Sequence, residues 1–259
     1  MSKLRKALWR CIFLEESEVR SQKLEVMRRF HFKHFSLYHH QSTMKVGTDA
    51  VLLGAWVKVQ PTDCVLDIGT GCGILPLMLA QKGVAKVDAV DLDEASAYEA
   101  SANFEASQWR DRLNAYHADI RRFGFGRSYD LILSNPPFFV HSFKCDADRK
   151  NQARHTDTSL TFEELVVSVK RLLKPEGRFV LVLPERESHD FLPLANAHGL
   201  FVHERLDLIP VVGKEVNRVN LELRYGKPEE TRVATLVLRD ADNRFSDEYN
   251  ALLKDFYLG

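Results

Sequence analysis

Two short segments contain most of the residues in this chain that could take part in chemistry. The first spans residues 67–73 and reads DIGTGCG, and the second spans residues 135–138 and reads NPPF. Glycine can adopt a positive φ and leaves room for a ligand against the main chain. Two successive prolines lack N–H donors, so the Asn135 side chain and the Pro136 carbonyl can both accept hydrogen bonds from an amino group. The first segment therefore indicates a site for a small polar ligand, and the second a site that holds an amine.

Both segments follow apolar runs that predict strands of a parallel sheet. The strands are residues 64–68 and 129–134, and a helix at 74–80 continues from the glycines. The glycines thus lie at a strand-to-helix turn, where free N–H groups of the helix start face a carboxylate or phosphate. Their alternation does not fit the G-x-G-x-x-G pattern, which disfavours a dinucleotide-dependent reductase. A second strand ends in Asp91, at the spacing where an acid meets ribose hydroxyls, with Asp93 as the less favoured alternative.

The glycine turn, Asp91 and a further acid, Asp119, follow three strands in order. Over roughly residues 45–225 this series resembles the class I S-adenosylmethionine-dependent methyltransferases. The resemblance implies an α/β fold with a doubly wound, mostly parallel seven-stranded sheet and an antiparallel strand near one edge. It also implies S-adenosyl-L-methionine as the cofactor, bound by Asp67, Gly69 and Gly71 at the methionine part, Asp91 at the ribose, and Asp119 with Ile120 at the adenine. Taken singly, such residues are also common in tight turns and helix N-caps.

The flanking sequences are more specific than the cofactor residues. Residues 30–35 (FHFKHF) and 44–56 (MKVGTDAVLLGAW) resemble the opening of the bacterial family that methylates N6 of adenine 37, beside the anticodon of tRNA1(Val). Further similarities follow at residues 153–156, 172–177 and 182–184. The family usually has Tyr where this chain has Phe138, and several ribosomal RNA guanine N2-methyltransferases also have Phe there. The resemblance implies a tRNA adenine N6-methyltransferase; the alternatives are ribosomal RNA guanine N2 methylation, protein glutamine N5 methylation, and a non-catalytic cofactor-binding module.

The NPPF segment suggests how an aromatic amine would be methylated. Such an amine is a poor nucleophile because its lone pair is delocalised into the ring. If Asn135 and the Pro136 carbonyl each accept one amine hydrogen, they favour a pyramidal nitrogen whose lone pair points at the methyl group, so alignment replaces a strong base. Phe138 would stack on a flipped base. The alternative is an ordinary Asn-Pro-Pro turn with a core Phe.

Thr48 has two compatible interpretations. Either Thr48 or Asp49 could N-cap a helix that runs to Trp56. In the resembling family this step lies over the methionine end of the cofactor, which implies a cofactor contact for Thr48.

Formal net charge is zero, but the basic residues are unevenly distributed. We expect a basic N-terminal extension at residues 1–29 and one methyltransferase domain at 30–259. The residues expected to contact tRNA phosphates are Lys33, Arg149, Lys150 and Arg154. Solvated surface charges, a solubilising extension or a dimer contact are the alternatives.

The four cysteines form no C-x-x-C pair, which indicates reduced thiols and neither a disulfide framework nor a metal site. The basic first ten residues have only a short apolar stretch, which Arg10 interrupts. This is typical of neither a secretion signal nor a membrane span. We therefore expect a cytoplasmic protein that is a monomer or a weak homodimer.

Overall fold

An eight-stranded sheet lies at the centre of the fold, with helices on both of its faces. The computed structural model describes residues 29–42, 45–124, 126–136 and 160–258. The strands are β1 (Arg29–His31), β2 (Ser36–Tyr38), β3 (Cys64–Ile68), β4 (Lys86–Asp91), β5 (Leu113–His117), β6 (Tyr129–Ser134), β7 (Leu173–Pro184), β8 (Leu200–Ile209), β9 (Arg218–Tyr225) and β10 (Arg232–Val237). The helices are α1 (Thr48–Trp56), α2 (Ile74–Gln81), α3 (Glu94–Glu105), α4 (Phe162–Leu172), α5 (Glu185–Ala197) and α6 (Asp247–Leu253).

The strand order in the sheet is β10-β8-β9-β7-β6-β3-β4-β5. All neighbouring strands are parallel except β9, which is antiparallel to both β7 and β8. The chain winds outward in one direction from β3 to β5 and in the other from β6. Open α/β sheets bind their ligands at such a reversal, outside the carboxyl ends of the strands. The topology therefore locates the candidate site above β3 and β6.

The predicted fold class is confirmed, with one difference in strand number. The sheet has eight strands instead of seven because β10 pairs in parallel with β8 and forms the outer edge. The antiparallel strand predicted near one edge is β9, which is the third strand from that edge. Residues 232–235 at the start of β10 are all exposed, so their sequence lacks the apolar pattern of a buried strand.

The core is divided between the two faces of the sheet. In β7, Val180 and Val182 belong to the cluster that packs under α1, α2, α3 and α6, whereas Leu181 belongs to the cluster under α4 and α5. Because successive side chains of a strand point to opposite faces, a strand covered on both sides must be apolar throughout. This explains why the central strands have nearly continuous apolar sequences.

The hairpin of β1 and β2 packs on the carboxyl-terminal end of the described chain. Phe32 stacks on Phe35 and Tyr257, with ring centroids 4.6 and 5.7 Å apart, respectively. The Lys33 backbone N–H donates to the Phe256 carbonyl at 2.8 Å. Residues 1–28 lie outside the described ranges, so the extension at 1–29 stays a prediction. Within those ranges, no helix has the length and apolar character needed to cross a bilayer.

Candidate active site

Two adjoining cavities lie at the carboxyl ends of the central strands. The larger, of about 150 Å³, is lined mostly by apolar residues from the ends of β3, β4, β5 and β6 and from α4, and the smaller, of about 90 Å³, lies over the glycine turn. Gly69 and Asp91 line both cavities. An elongated ligand with an apolar end and a polar end could therefore extend from one cavity into the other across these two residues.

The glycine turn is held against the end of β4 by its main chain. Gly69, Gly71 and Gly73 have φ values of 73°, 55° and 83°, in the left-handed region that favours glycine. The N–H of Gly69 donates to the Val90 carbonyl at 2.8 Å. A Cβ on Gly73 would lie 2.5 Å from the Phe104 ring, so no side chain fits there without moving α3. The alternating glycines are thus required by conformation and by close packing.

Asp91 accepts a hydrogen bond from the glycine turn and also lines both cavities. Its Oδ2 accepts a hydrogen bond from the Gly71 N–H at 2.8 Å, and its Oδ1 accepts one from the Asp93 N–H at 2.9 Å. Burial raises the pKa of Asp91. Asp93, the alternative ribose ligand, instead caps α3 by accepting hydrogen bonds from the N–H and hydroxyl of Ser96 at 2.9 and 2.7 Å. The geometry favours Asp91 as the residue that faces a ligand.

Asp67 is a buried carboxylate without a hydrogen-bond partner. It is fully inaccessible, and neither oxygen has a partner among the described residues. Burial raises the pKa of Asp67 to about 7, the charge of Asp91 adds to this, and the neighbouring Thr70 hydroxyl lowers it in part without completing a hydrogen bond. Asp67 lines neither cavity, but it directly precedes Ile68 and Gly69, which do. Buried polar groups in folded proteins are normally paired, so an unpaired carboxylate next to the cavity lining is suited to a binding partner.

Asn135 and Pro136 follow β6 directly and lie at the two cavities. Asn135 lines the smaller cavity and Pro136 the larger one. The Asn135 Oδ1 is buried and has no partner in the described part of the chain. At the end of β6, the Ser134 hydroxyl donates to the Ile68 carbonyl at 2.9 Å, which ties β6 to β3. The acceptor oxygen predicted from sequence is therefore buried at the smaller cavity and unpaired with any described residue. Phe138 lies outside the described residues.

In the larger cavity, by contrast, the Asp119 carboxylate is already paired with another side chain. Asp119 and Ile120 both line this cavity. The Arg121 guanidinium contacts both Asp119 oxygens, with Nε to Oδ1 at 2.8 Å and Nη2 to Oδ2 at 2.7 Å. Its Nη1 also donates to Glu164 at 3.0 Å, in the first turn of α4. Hydrogen bonding from Arg121 is the largest cause that lowers the pKa of Asp119. Arg121 thus joins the two walls of the cavity.

Sequence analysis did not identify Arg121 and Glu164 as site residues. Glu164 is part of a capping box at the start of α4: Thr161 Oγ1 accepts from the Glu164 N–H, and Glu164 accepts from the Thr161 N–H. Its second role, as an ion-pair partner of Arg121, depends on packing between distant segments. Arg121 could have been identified from the sequence, because it is a basic residue only two positions after the predicted adenine ligand Asp119.

Three further predictions concern residues around these cavities. Capping of α1 by Thr48 or Asp49 is wrong, because Gly47 occupies the N-cap and Asp49 pairs with Arg218 at 2.9 Å. Thr48 is absent from the lining of both cavities, so its cofactor contact stays a prediction. The Lys33 ammonium donates to the Lys254 carbonyl, on the carboxyl-terminal turn. Contact of Lys33 with RNA also stays a prediction, and Arg149, Lys150 and Arg154 lie outside the described residues.

No group of His, Cys, Asp and Glu side chains within the described ranges could hold a metal ion.

The chain matches the family model of the methyltransferase small domain over residues 39–199. It is 43% identical to the tRNA1(Val) (adenine(37)-N6)-methyltransferase of Pectobacterium carotovorum, over 88% of this chain and 93% of that protein. It is 41% identical to the enzyme of the same name from Phocaeicola vulgatus, over 88% of this chain and 97% of that protein.

Solved structures support the fold assignment. A predicted O-methyltransferase from Agrobacterium tumefaciens superposes with a TM-score of 0.62 at 15% identity, over 80% of this chain and 96% of that one. The 16S rRNA N2 methyltransferase of T. thermophilus gives 0.54 at 22% identity, over 77% of this chain and 50% of that one. Both structures share the fold of this chain, and at these sequence identities the similarity supports the fold alone. Because the relatives of 41–43% identity match nearly end to end, the chain belongs to the tRNA1(Val) (adenine(37)-N6)-methyltransferase family.

Proposed function

We propose that this protein transfers the methyl group of S-adenosyl-L-methionine to N6 of adenine 37 in tRNA1(Val). Relatives that carry this name match the chain over almost their full length. The structural observation that carries the proposal is the buried, unpaired Asn135 Oδ1 in the lining of the smaller cavity. An amide oxygen at that point is suited to an acceptor that brings an N–H group.

The residues of the two cavities fit this cofactor. The larger cavity has apolar walls suited to an adenine ring, with Asp119 available to its amino group. Asp91, which lines both cavities, is suited to the ribose between them. The smaller cavity has a buried, unpaired hydroxyl on Thr70, and the unpaired Asp67 carboxylate directly precedes the glycine turn, as expected where a charged amino-acid moiety binds. When bound there, the cofactor supplies a methyl group on a positively charged sulfur.

The contribution of the protein to the reaction is then alignment. The Asn135 oxygen and the Pro136 carbonyl accept the two hydrogens of the adenine amine and turn its lone pair toward the methyl group. The nitrogen becomes acidic as it is alkylated, so its proton can leave to water without a strong base. Preorganised acceptors of this kind typically contribute about 100-fold or more to the rate.

The position of the target base favours an anticodon loop. An adenine beside the anticodon is unpaired, so extruding it costs less than flipping a base out of a duplex. Guanine N2 and protein glutamine methylation are less favoured, because the similarity to a guanine N2 enzyme at 22% identity speaks only to the fold. A non-catalytic module is disfavoured by the intact Asn-Pro-Pro sequence.

Nucleoside mass spectrometry of tRNA1(Val) provides the test. Deletion of the gene should remove N6-methyladenosine from position 37, and the wild-type gene should restore it whereas Asn135→Ala should not. The matched control is Asn196→Ala, the same change at an exposed position in α5, which should restore the modification. Unchanged N6-methyladenosine in the deletion strain, with loss of a ribosomal N2-methylguanosine or a methylated glutamine, would reject adenine 37 as the substrate.

Phosphate contacts can be tested separately with purified protein. The combined Arg149→Ala, Lys150→Ala and Arg154→Ala variant should keep its cofactor affinity but bind tRNA more weakly. Its binding should also depend less steeply on salt, because each lost phosphate contact reduces counterion release. Wild-type tRNA affinity at every salt concentration would remove these three residues from the interface.

A further inference from the structure

The smaller cavity contains one cation and one carboxylate among its lining residues. These are Lys45 and Asp91, and Lys45 is the only cation of the described chain in this lining. Asp91 is engaged by the N–H groups of Gly71 and Asp93. Lys45 makes no hydrogen bond or ion pair with any described residue. The cavity therefore presents a cation with no counter-ion of its own.

We propose that Lys45 binds the carboxylate of the methionine moiety of the cofactor; this rests on the function proposed above. A carboxylate that enters this cavity would be repelled by Asp91, and by Asp67 whenever that group is ionised. The Lys45 ammonium offsets this repulsion, and a charge-assisted hydrogen bond of this type is roughly twice as strong as a neutral one. Ile74 and Leu75 at the start of α2 line the same cavity, and the first N–H groups of a helix favour an anion.

Lys45 lies three residues after the segment 38–42, which follows β2 and which we call the strap. Two buried side chains of α3, Glu99 and Asn103, hold the strap in place. Glu99 accepts hydrogen bonds from three successive N–H groups of the strap, at 2.8, 3.0 and 2.8 Å. Asn103 bonds both the N–H and the carbonyl of Tyr38, each at 2.8 Å, and also donates to the Cys72 carbonyl in the glycine turn at 2.8 Å.

The strap is therefore fastened to the same turn that forms the floor of the cavity. On the other side of residues 43–44, the Val46 N–H donates to His39 Nδ1 at 3.2 Å. The backbone is thus fixed on both sides of the lysine. This makes Glu99 a positioning residue for Lys45: it does not line the cavity, but it determines where the strap lies.

The test uses two ligands that differ only in the carboxylate. S-Adenosylmethionine and decarboxylated S-adenosylmethionine would be titrated calorimetrically into wild-type protein and Lys45→Met. The substitution should weaken binding of S-adenosylmethionine by about 10-fold, the effect of losing one hydrogen bond between charged groups. Binding of the decarboxylated ligand should change by less than about twofold, since it has no group for Lys45 to bind.

Control variants separate charge, position and folding. Lys227→Met, at an exposed residue at the opposite edge of the sheet, should leave both affinities unchanged, and Lys45→Arg should keep most of the preference for the carboxylate ligand. Glu99→Gln should reduce the same preference, whereas Glu105→Gln on the exposed side of α3 should not. If Glu99 has only a structural role, Glu99→Gln should reduce the affinity for both ligands equally.

The outcomes distinguish this inference from the proposed function. An equal loss for both ligands in Lys45→Met, or no loss for either, would overturn the assignment of Lys45 while the methyltransferase function stands. If wild-type protein binds neither ligand, the proposed function itself fails.

Discussion

The two adjoining cavities share Gly69 and Asp91 but differ in how their polar groups are paired. In the larger cavity, Asp119 is held by Arg121 before any ligand binds. In the smaller cavity, buried polar atoms of Thr70 and Asn135 have no partner among the described residues. An unpaired buried polar group costs about 1–3 kcal/mol, which a ligand can return by pairing with it. The larger cavity is therefore preorganised, whereas the buried polar atoms of the smaller cavity need a ligand to complete their hydrogen bonds.

The largest effect should come from the unpaired acceptor. Asn135→Ala should reduce the rate of methyl transfer by about 100-fold or more, because a preorganised hydrogen-bonding group at the reacting centre is lost. Cofactor affinity should stay nearly unchanged. Single-turnover methylation of tRNA, with calorimetry of cofactor binding, measures the two effects separately. Near-normal turnover would show that this oxygen takes no part in the reaction.

Asp91 tests the residue that the two cavities share. Asp91→Ala should weaken S-adenosylmethionine binding by roughly 1.5–3 kcal/mol, the range for hydrogen bonds to a charged group. Asp93→Ala should leave affinity close to wild type and instead lower the free energy of unfolding by about 1 kcal/mol, because it removes the N-cap of α3. Calorimetry and denaturant titration on both variants measure these effects. The reverse pattern would assign the ribose to Asp93.

Arg121 tests the preorganised cavity. Arg121→Gln should weaken binding by only about fivefold, because its ion pair is about one third exposed and partly screened by water. The loss should be equal for S-adenosylmethionine and for 5′-methylthioadenosine, which has the adenosine part alone. Arg122→Gln, at the exposed neighbouring position, is the control. A loss confined to S-adenosylmethionine would place the adenine elsewhere.

A separate effect, on stability and not on ligand binding, should appear in the pH dependence of the free energy of unfolding. Burial raises the pKa of Asp67 to about 7 in the folded protein, compared with about 3.9 for an unfolded Asp. Between these values the folded state binds more protons, so this group makes stability fall as pH rises from about 4 to 7. Asp67→Asn removes that dependence. The Tm difference between variant and wild type, without ligand, should therefore shift in favour of the variant across this range; a constant difference would contradict it.

Sequence patterns predicted the positions of candidate site residues that lie directly at the ends of apolar strand segments. The runs at β3, β4 and β6 are apolar because both faces of the sheet are covered, so they identified the strands and placed Asp91 and Asn135 at strand ends. Less could be predicted where structure depends on distant partners. Helix α5 contains Pro193, which argues against a helix, and β10 is exposed along most of its length. The unpaired state of Asp67 and the pairing of Arg121 with Glu164 arise only once the chain has folded.

The antiparallel position of β9 has a consequence for the newly synthesised chain. Strand β7 is apolar and pairs along one edge with β6, but its other edge pairs with β9, which follows β8 in the chain. As the chain emerges, Leu181 and Leu183 therefore belong to a strand with an open edge until residues 218–225 have been made. Open apolar edges recruit other strands and promote aggregation. A chain that ends before Arg218 would retain the residues proposed to bind the cofactor but expose this edge permanently.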